Sequence, residues 1–193
     1  MKFVVLTGNP KETGLCKAAT DAILQGAKDG GAEVVETKTE EIVRCQVCGN
    51  GWGTCLNDHV CAFGSDGFTA LQSQIQDADA VALITPVYWG ECAEGLKSFM
   101  DRLRRCENRM RRAEGEGALL NKPVLLVASP GGSGNGALTC LSQMERFCQH
   151  TGALIFDMIV VNRWNSDYSR AAIYQAAHAM ASGRKHGETM ANA

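Results

Sequence analysis

The sequence predicts an α/β fold in which helices cover both faces of a five-stranded parallel sheet. Two observations support this prediction: five short apolar segments have the composition of β-strands, and helical patterns separate them. Strands that alternate with helices pair in parallel, because each helix carries the chain back across the sheet. With 193 residues, of which 45% are hydrophobic, the chain can bury such a core as one domain over residues 1–193.

The first three strands are predicted at residues 2–7, 32–37 and 80–85. The first contains the apolar run from Phe3 to Leu6, and the third is an apolar run that ends abruptly at Pro86. The helical patterns that belong with them lie at about residues 14–29 and 68–77.

The remaining strands are predicted at residues 123–129 and 153–161, and the remaining helices at about residues 95–105, 137–151 and 169–182. In the second of these helices, Leu141, Met144 and Phe147 recur at helical spacing and mark a buried face. Cys140 and Cys148 lie among them and are interpreted as small core residues. Cys92, just after the third strand, could instead be redox-active.

Five strands in a chain of this length fit the flavodoxin-like doubly wound sheet, a three-layer sandwich with strand order 2-1-3-4-5. The order rests on analogy with that fold, since periodicity predicts the units and not their arrangement. In such a sheet, ligands bind outside the carboxyl ends of the strands. Residues 43–66 are too long for an ordinary connection and are predicted to be a cysteine-rich insertion.

Charge and composition argue against several kinds of partner. The 19 basic and 21 acidic residues give a formal charge of −2 without a basic run, which favours neither nucleic acid nor an anionic membrane surface. The apolar run at residues 3–6 is too short for a signal peptide, and no segment could span a bilayer. A cytoplasmic protein is expected, in which nine cysteines favour metal or redox chemistry over disulfides.

The loop after the first strand has the composition of an anion site. Gly8 permits a sharp turn, Asn9 and Thr13 supply short polar side chains, and the helix that follows offers backbone N–H groups at its N-terminus. The loop lacks the Gly-Lys-Ser/Thr spacing of a nucleotide-hydrolysing P-loop. It therefore predicts phosphate binding without nucleotide hydrolysis.

Two adjacent aromatic residues, Tyr88 and Trp89, follow the third strand, between Val87 and Gly90. A loop of this kind at the carboxyl end of a strand suits a flat ligand, because aromatic faces stack on planar rings. The leading hypothesis for the ligand is a flavin.

The loop after the fourth strand, at residues 129–136, is rich in glycine, which lets the backbone approach a ligand closely. The same stretch has the Gly-x-Gly-x-x-Ala spacing of a dinucleotide-binding turn at residues 132–137. Pro130 interrupts that turn, and no clear acidic residue ends the next strand. A second flavin contact is therefore the favoured interpretation.

Four cysteines, Cys45, Cys48, Cys55 and Cys61, lie in the insertion, which has few apolar anchors. Ordering its backbone costs about 1–2 kcal/mol per residue, and a structural metal can contribute on the order of 10–16 kcal/mol. Four thiolates suit either zinc or a [4Fe–4S] cluster. A cluster has an obvious use beside a flavin, but the sequence leaves a cluster, zinc and no metal open.

Three motifs together resemble the NAD(P)H-dependent FMN reductases, and among these the iron–sulfur flavoproteins. They are Gly-Asn-Pro-Lys at residues 8–11, Pro-Val-Tyr-Trp-Gly at residues 86–90 and Leu-Lys-Ser-Phe-Met-Asp-Arg at residues 96–102. The resemblance implies that FMN is held by Gly8, Asn9, Pro10, Lys11, Thr13, Leu15, Cys16, Pro86, Val87, Tyr88, Trp89, Gly90, Ser129, Gly131 and Gly132. Two departures stand out: Cys16 replaces a threonine, and Gly51 replaces the third cysteine of the usual cluster motif.

The resemblance implies an FMN-dependent oxidoreductase that passes hydride or electrons from NAD(P)H, or from a reduced carrier, to an acceptor. No catalytic acid or base is required, because the cofactor carries the chemistry. One alternative is an iron–sulfur electron carrier that works with ferredoxin, and another is a non-enzymatic cysteine-rich metal-binding module. The family also implies a homo-oligomer, either a dimer or a tetramer.

Overall fold

The computed structural model describes residues 1–107, 117–132 and 134–185. Its elements are β1 (Lys2–Thr7), α1 (Leu15–Asp29), β2 (Glu33–Lys38), α2 (Cys48–Gly51), η1 (Thr54–Leu56), α3 (Phe68–Gln76), β3 (Ala80–Tyr88), β4 (Glu91–Cys92), α4 (Glu94–Cys106), β5 (Pro123–Pro130), α5 (Ala137–Thr151), β6 (Leu154–Val160) and α6 (Ser166–Ala181). Within these described ranges, no helix has both the length and the apolar character needed to cross a membrane.

The sheet has the order β2-β1-β3-β5-β6, and all neighbours in this series are parallel. These are the five predicted strands in the predicted order, so the flavodoxin-like arrangement is confirmed. The sheet differs from the prediction in one respect, because the two-residue strand β4 pairs antiparallel with the end of β3. This added strand turns the chain back directly after Tyr88 and forms a hairpin at the carboxyl edge.

Each strand of the sheet buries alternate side chains on opposite faces, as the period of a strand requires. In β1, Val4 and Leu6 pack on the face covered by α3, α4 and α5. Phe3 and Val5 pack on the face covered by α1 and α6. The chain therefore forms two apolar cores around one sheet, which is the three-layer sandwich that the sequence predicts.

Strand β3 is longer than the sequence predicts, because it continues through Pro86 to Tyr88. Its pairing with β1 ends at Ile84, whereas its pairing with β5 continues to Val87. Beyond Ile84 the strand is therefore an edge on the β1 side, where proline is tolerated despite its missing N–H. The extension carries the aromatic pair beyond the body of the sheet.

Candidate functional site

The loops after β1, β3 and β5 meet at one edge of the sheet, because these three strands are neighbours and run in parallel. The backbone N–H of Gly8 donates to the carbonyl of Ile84 at 2.8 Å and ties the first loop to β3. A Cβ at Gly8 would lie 3.1 Å from both Leu96 Cβ and Thr85 Oγ1. Close packing against α4 therefore favours glycine at this turn.

Asn9 shapes the first loop from within. Its side-chain Nδ2 donates to the carbonyl of Lys11 at 2.8 Å, and its Oδ1 accepts the N–H of Lys11 at 3.3 Å. Its own backbone N–H donates to Thr7 Oγ1 at 3.1 Å. Because the buried amide of Asn9 is bonded inside the loop, the exposed side chains of Lys11 and Thr13 are left on the outer surface of this loop.

The N-terminus of α1 opens onto the same edge. Gly14 precedes the helix with a φ of 91°, and among the described residues no side chain caps the first turn. The first backbone N–H groups of a helix have no partner within it, and its dipole places partial positive charge there. This end of α1 can therefore accept an anion.

Cys16 joins the first loop to the third. Burial raises the pKa of the Cys16 thiol to about 12, and a hydrogen bond with Ser129 offsets part of that rise. The thiol is therefore neutral at physiological pH and bonded to the end of β5. Its side chain links two loops, and its backbone N–H lies in the first turn of α1.

The hairpin formed by β3 and β4 carries the aromatic pair. Trp89, at its tip, is fully exposed and has a φ of 54°, while Tyr88 is half exposed. The Thr139 hydroxyl at the start of α5 donates to the carbonyl of Gly90 at 2.9 Å. A Cβ at Gly136 would lie only 2.6 Å from Gly90 Cα, so the hairpin backbone rests directly on the backbone that leads into α5.

Two concavities flank this hairpin, and they differ in charge. The one between the hairpin and the third loop has a volume of about 610 Å³ and is lined by Val87, Trp89, Gly90, Gly131, Gly132, Asn135, Gly136 and Thr139. The other has a volume of about 500 Å³ and includes the carboxylates of Glu40, Glu91 and Glu94. The first suits an uncharged planar ring, and the three carboxylates make the second unfavourable for a phosphate. Gly8, Pro10 and Tyr88, which the family resemblance assigns to FMN, line the second concavity.

The loop after β6 contributes residues to this edge that the sequence reasoning missed. Arg163 lies so close to Gly132 that a Cβ there would be 2.5 Å from Nη2. Trp164 is largely exposed and lies beside Gly134, and Asn162 Oδ1 accepts the N–H groups of Trp164 and Asn165. The rule that ligands bind at the carboxyl ends of parallel strands could have found them, since Trp164 follows the fifth strand.

The four insertion cysteines line one cavity. Cys45, Cys48, Cys55 and Cys61 share it with Gly51 and Gly53, and all four thiols are half-buried. The structure therefore brings together side chains that are up to 16 residues apart in the sequence. Among the described residues, however, no three cysteine, histidine, aspartate or glutamate side chains are placed so that they could hold a metal ion.

Two arginines of α4, the buried Arg102 and the half-buried Arg105, form the other side of that cavity. Arg102 pairs with Asp66, donates to the carbonyls of Val43 and Phe63, and lies 3.4 Å from the sulfur of Cys61. Arg105 donates to the carbonyl of Gly51 and stacks over Trp52 at 4.7 Å. Positive charge thus faces the thiols.

Comparison with known proteins decides the family. The model of the NADPH-dependent FMN reductase family matches residues 1–167, which is most of the chain. This chain belongs to the NADPH-dependent FMN reductase family. The family resemblance inferred from the three sequence motifs is thereby confirmed.

Two curated relatives of this FMN reductase family member are both named iron–sulfur flavoprotein. The protein from Archaeoglobus fulgidus is 32% identical over 105 residues, covering 53% of this chain and 46% of the relative. The protein from Methanosarcina thermophila is 31% identical over 140 residues, covering 70% and 66%. The chain thus spans between about half and two thirds of the length of these relatives.

A solved structure agrees with the fold. The NAD(P)H:quinone oxidoreductase from Methanothermobacter marburgensis superimposes with a TM-score of 0.67 at 15% identity, and the match covers 98% of each chain. At this identity the likeness supports the flavodoxin-like fold alone.

The residues present fit the groups that the family implies to different degrees. For FMN, the uncapped helix N-terminus and the uncharged concavity supply an anion site and a ring site at the same edge. For a cluster, the four thiols around one cavity are a suitable set of ligands. Two arginines line the same cavity, and their buried Nε atoms have no hydrogen-bond partner among the described residues. The sulfur atoms themselves are not in a ligating arrangement.

Proposed function

We propose that this protein is an FMN-dependent oxidoreductase that takes electrons from NAD(P)H. The observation that carries the proposal is the meeting of three loops at one sheet edge, where an uncapped helix N-terminus and an uncharged concavity both lie. Membership of the NADPH-dependent FMN reductase family supports both the cofactor and the donor. When bound, FMN supplies the ability to accept a hydride and to pass its electrons on.

The phosphate of FMN is placed at the start of α1. The free N–H groups of the first turn and the positive end of the helix dipole favour a dianion there. Lys11 adds a cation from the loop surface, and Gly14 leaves the approach open because no described residue has an atom within 4 Å of where its Cβ would be. The remaining loop residues, Gly8 to Thr13, hold the turn that presents these groups.

The ring is placed between the hairpin and the third loop. Gly131 and Gly132 lack side chains that would fill the concavity, and Val87, Trp89 and Gly90 form its opposite wall. Trp89 is exposed in this wall, where its aromatic face can stack on a planar ring, whereas Tyr88 lines the second concavity. Both walls follow the paired ends of β3 and β5, which include Pro86, Val87 and Ser129.

The ring concavity suits hydride transfer rather than acid–base catalysis. Among its described lining residues, none ionises. A hydride that passes between a nicotinamide and a flavin needs closeness, orientation and exclusion of water, and it does not need a side chain to carry a proton. The chain therefore acts by binding and positioning, and no residue is assigned a catalytic role.

The phosphate placement predicts that FMN binds at least 100-fold more tightly than riboflavin, which lacks the phosphate. The estimate rests on two or more charge-assisted hydrogen bonds of about 1.5–3 kcal/mol each. Anaerobic titrations that follow quenching of flavin fluorescence would measure both affinities. NADPH added to the FMN complex is then expected to bleach the flavin absorbance rapidly.

A matched pair of variants sharpens this experiment. Lys11→Ala should weaken FMN binding several-fold and leave riboflavin binding unchanged, whereas Lys28→Ala, in the last turn of the same helix, should change neither. Equal affinity for the two flavins would place the phosphate elsewhere. Failure to bind either flavin would overturn the proposed function.

We infer, as a second candidate function, that the insertion holds a [4Fe–4S] cluster and that the protein relays single electrons, with ferredoxin as a partner. The observation that favours it is the cavity lined by Cys45, Cys48, Cys55 and Cys61 beside two arginines. The name of the two curated relatives is consistent with it. These four thiolates would hold the cluster, which would supply one-electron transfer, and the arginines would offset its negative charge.

Iron and sulfide analysis after anaerobic purification tests the cluster directly. About four irons per chain are expected, and Cys55→Ala should abolish them, whereas Cys148→Ala, in α5, should retain them. One zinc per chain, or no metal in a protein that still binds FMN, would remove the cluster and leave the flavin proposal standing. Homo-oligomerisation and a cytoplasmic location remain predictions from the sequence.

A further inference from the structure

Two buried cysteines outside the cysteine-rich insertion meet beside the hairpin. The sulfur atoms of Cys92 in β4 and Cys140 in α5 lie 3.6 Å apart, although the residues are 48 positions apart in the chain. Cys92 is 5% exposed and Cys140 is fully buried. The proposed function uses neither thiol, and the sequence alone interprets Cys140 as core.

The backbones that carry these two thiols are held against each other. The N–H of Cys92 donates to Gln143 Oε1 at 3.2 Å, and Gln143 lies one turn after Cys140. On the other side, Thr139 donates to the carbonyl of Gly90. The sulfurs therefore need to approach by only about 1.5 Å to reach bonding distance, while the neighbouring contacts keep β4 on α5.

The pair lies beside a concavity on one side. Cys92 lines the concavity of about 500 Å³ next to Gly8, Pro10 and Tyr88. The contact between the two thiols raises the pKa of Cys92 and lowers the pKa of Cys140. A sulfur with thiolate character is the reactive form of cysteine.

We propose that Cys92 and Cys140 form a redox-active dithiol that closes to a disulfide on exposure to hydrogen peroxide and reopens with a thiol reductant. One sulfur attacks a peroxide oxygen, and the O–O bond breaks. That sulfur becomes a sulfenic acid, and one water is released. The second sulfur then displaces the sulfenic hydroxyl as a second water, and the S–S bond forms. The two sulfurs lose two electrons, the peroxide oxygens gain them, and both thiol protons leave in the water.

The disulfide would tie the hairpin covalently to α5. That hairpin carries Tyr88 and Trp89, so the oxidised protein holds the rim of the ring concavity in one position. This consequence for the flavin rests on the proposed function. The formation of the disulfide does not depend on the proposed function, and its test uses the protein without FMN.

Peptide mapping tests the proposal without interference from the insertion cysteines. Cleavage after glutamate separates Cys92, in residues 92–94, from the four insertion cysteines, in residues 42–91, and places Cys140 alone in residues 117–145. After treatment with peroxide and alkylation of the remaining thiols, most chains should yield a cross-linked pair of these two peptides. Dithiothreitol should restore the separate peptides.

Variants provide the control for this mapping. Cys148→Ala removes a buried thiol two turns further along α5 and should leave the cross-link intact, whereas Cys140→Ala should abolish it. Oxidation should raise the urea midpoint of the wild type and of Cys148→Ala, and not that of Cys140→Ala. Sulfinic or sulfonic acid at Cys92 without a cross-link in the wild type would overturn the proposal, whatever the variants do. Loss of FMN binding would leave it standing.

Discussion

Replacing Arg102 with alanine is expected to lower the free energy of unfolding by about 3–5 kcal/mol, the cost of breaking a buried ion pair by removing one partner. Arg102 is fully buried, and its guanidinium pairs with Asp66. It also donates to the carbonyls of Val43 and Phe63 and lies 4.1 Å from the centre of the Phe68 ring. Its removal leaves two carbonyls without this donor and leaves the Asp66 carboxylate with backbone N–H donors but without its charged partner.

Urea denaturation would measure this loss, with Arg104→Ala as the control. Arg104 lies on the same helix, is 46% exposed in its side chain, and contacts only Asp101 by ion pairing among the described residues. Its replacement should change stability by less than about 0.5 kcal/mol. A loss at Arg102 as small as that at Arg104 would show that the insertion does not depend on this side chain.

The same pair predicts a pH dependence. Burial acts to raise the pKa of Asp66, but hydrogen bonds from the Val43 N–H and from Arg102 outweigh it and hold the pKa below its ordinary value. A lowered pKa in the folded state stabilises the protein above the unfolded pKa, and this stabilisation is lost as the pH falls through the folded value. The stability difference between wild type and Arg102→Ala should therefore shrink below about pH 4.

Gly136→Ala is expected to cost about 2–4 kcal/mol of stability, through overpacking and an unfavourable backbone conformation. Gly136 has a φ of 77°, and its Cβ would lie 2.6 Å from Gly90 Cα and 3.0 Å from Gly90 N. Because the obstacle is backbone, the hairpin itself has to move away from α5. One wall of the ring concavity moves with it, so FMN affinity should fall at least tenfold.

Gly131→Ala is the matched control for stability. Gly131 lies in the same loop, but its Cβ would meet no atom of the described residues within 4 Å, and its backbone is not in the left-handed region. Its unfolding free energy should match that of the wild type. If Gly136→Ala also unfolded like the wild type, the close contact between hairpin and helix would be refuted.

Local pattern predicts the body of this fold because its central strands, β1, β3 and β5, contain continuous apolar runs. The β1 strand has the predicted bounds, and α5 does also. The prediction fails at Pro86, where local chemistry indicates a strand end. The missing N–H is harmless there because β1 has already stopped pairing, and only the tertiary arrangement reveals that.

Some features of the candidate site can likewise be predicted from local sequence, and others cannot. The uncapped helix start after Gly14 and the aromatic pair at Tyr88 can be found from local sequence, because their chemistry lies in neighbouring residues. The contacts of Arg163 with Gly132 and of Cys92 with Cys140 cannot be found from local sequence, because each joins distant parts of the chain. The sequence also gives no sign that the amide of Asn9 is bonded within its own loop.

The cysteine-rich insertion is closed at its base, where the N–H of Val43 donates to Asp66 at 2.9 Å. Because both of its ends meet at one carboxylate, its contour length has little bearing on the distance between β2 and α3. The entropy of closing such a loop grows only slowly with the number of residues in it. We therefore expect changes in the length or the cysteine spacing of this segment to leave the geometry of the sheet unchanged.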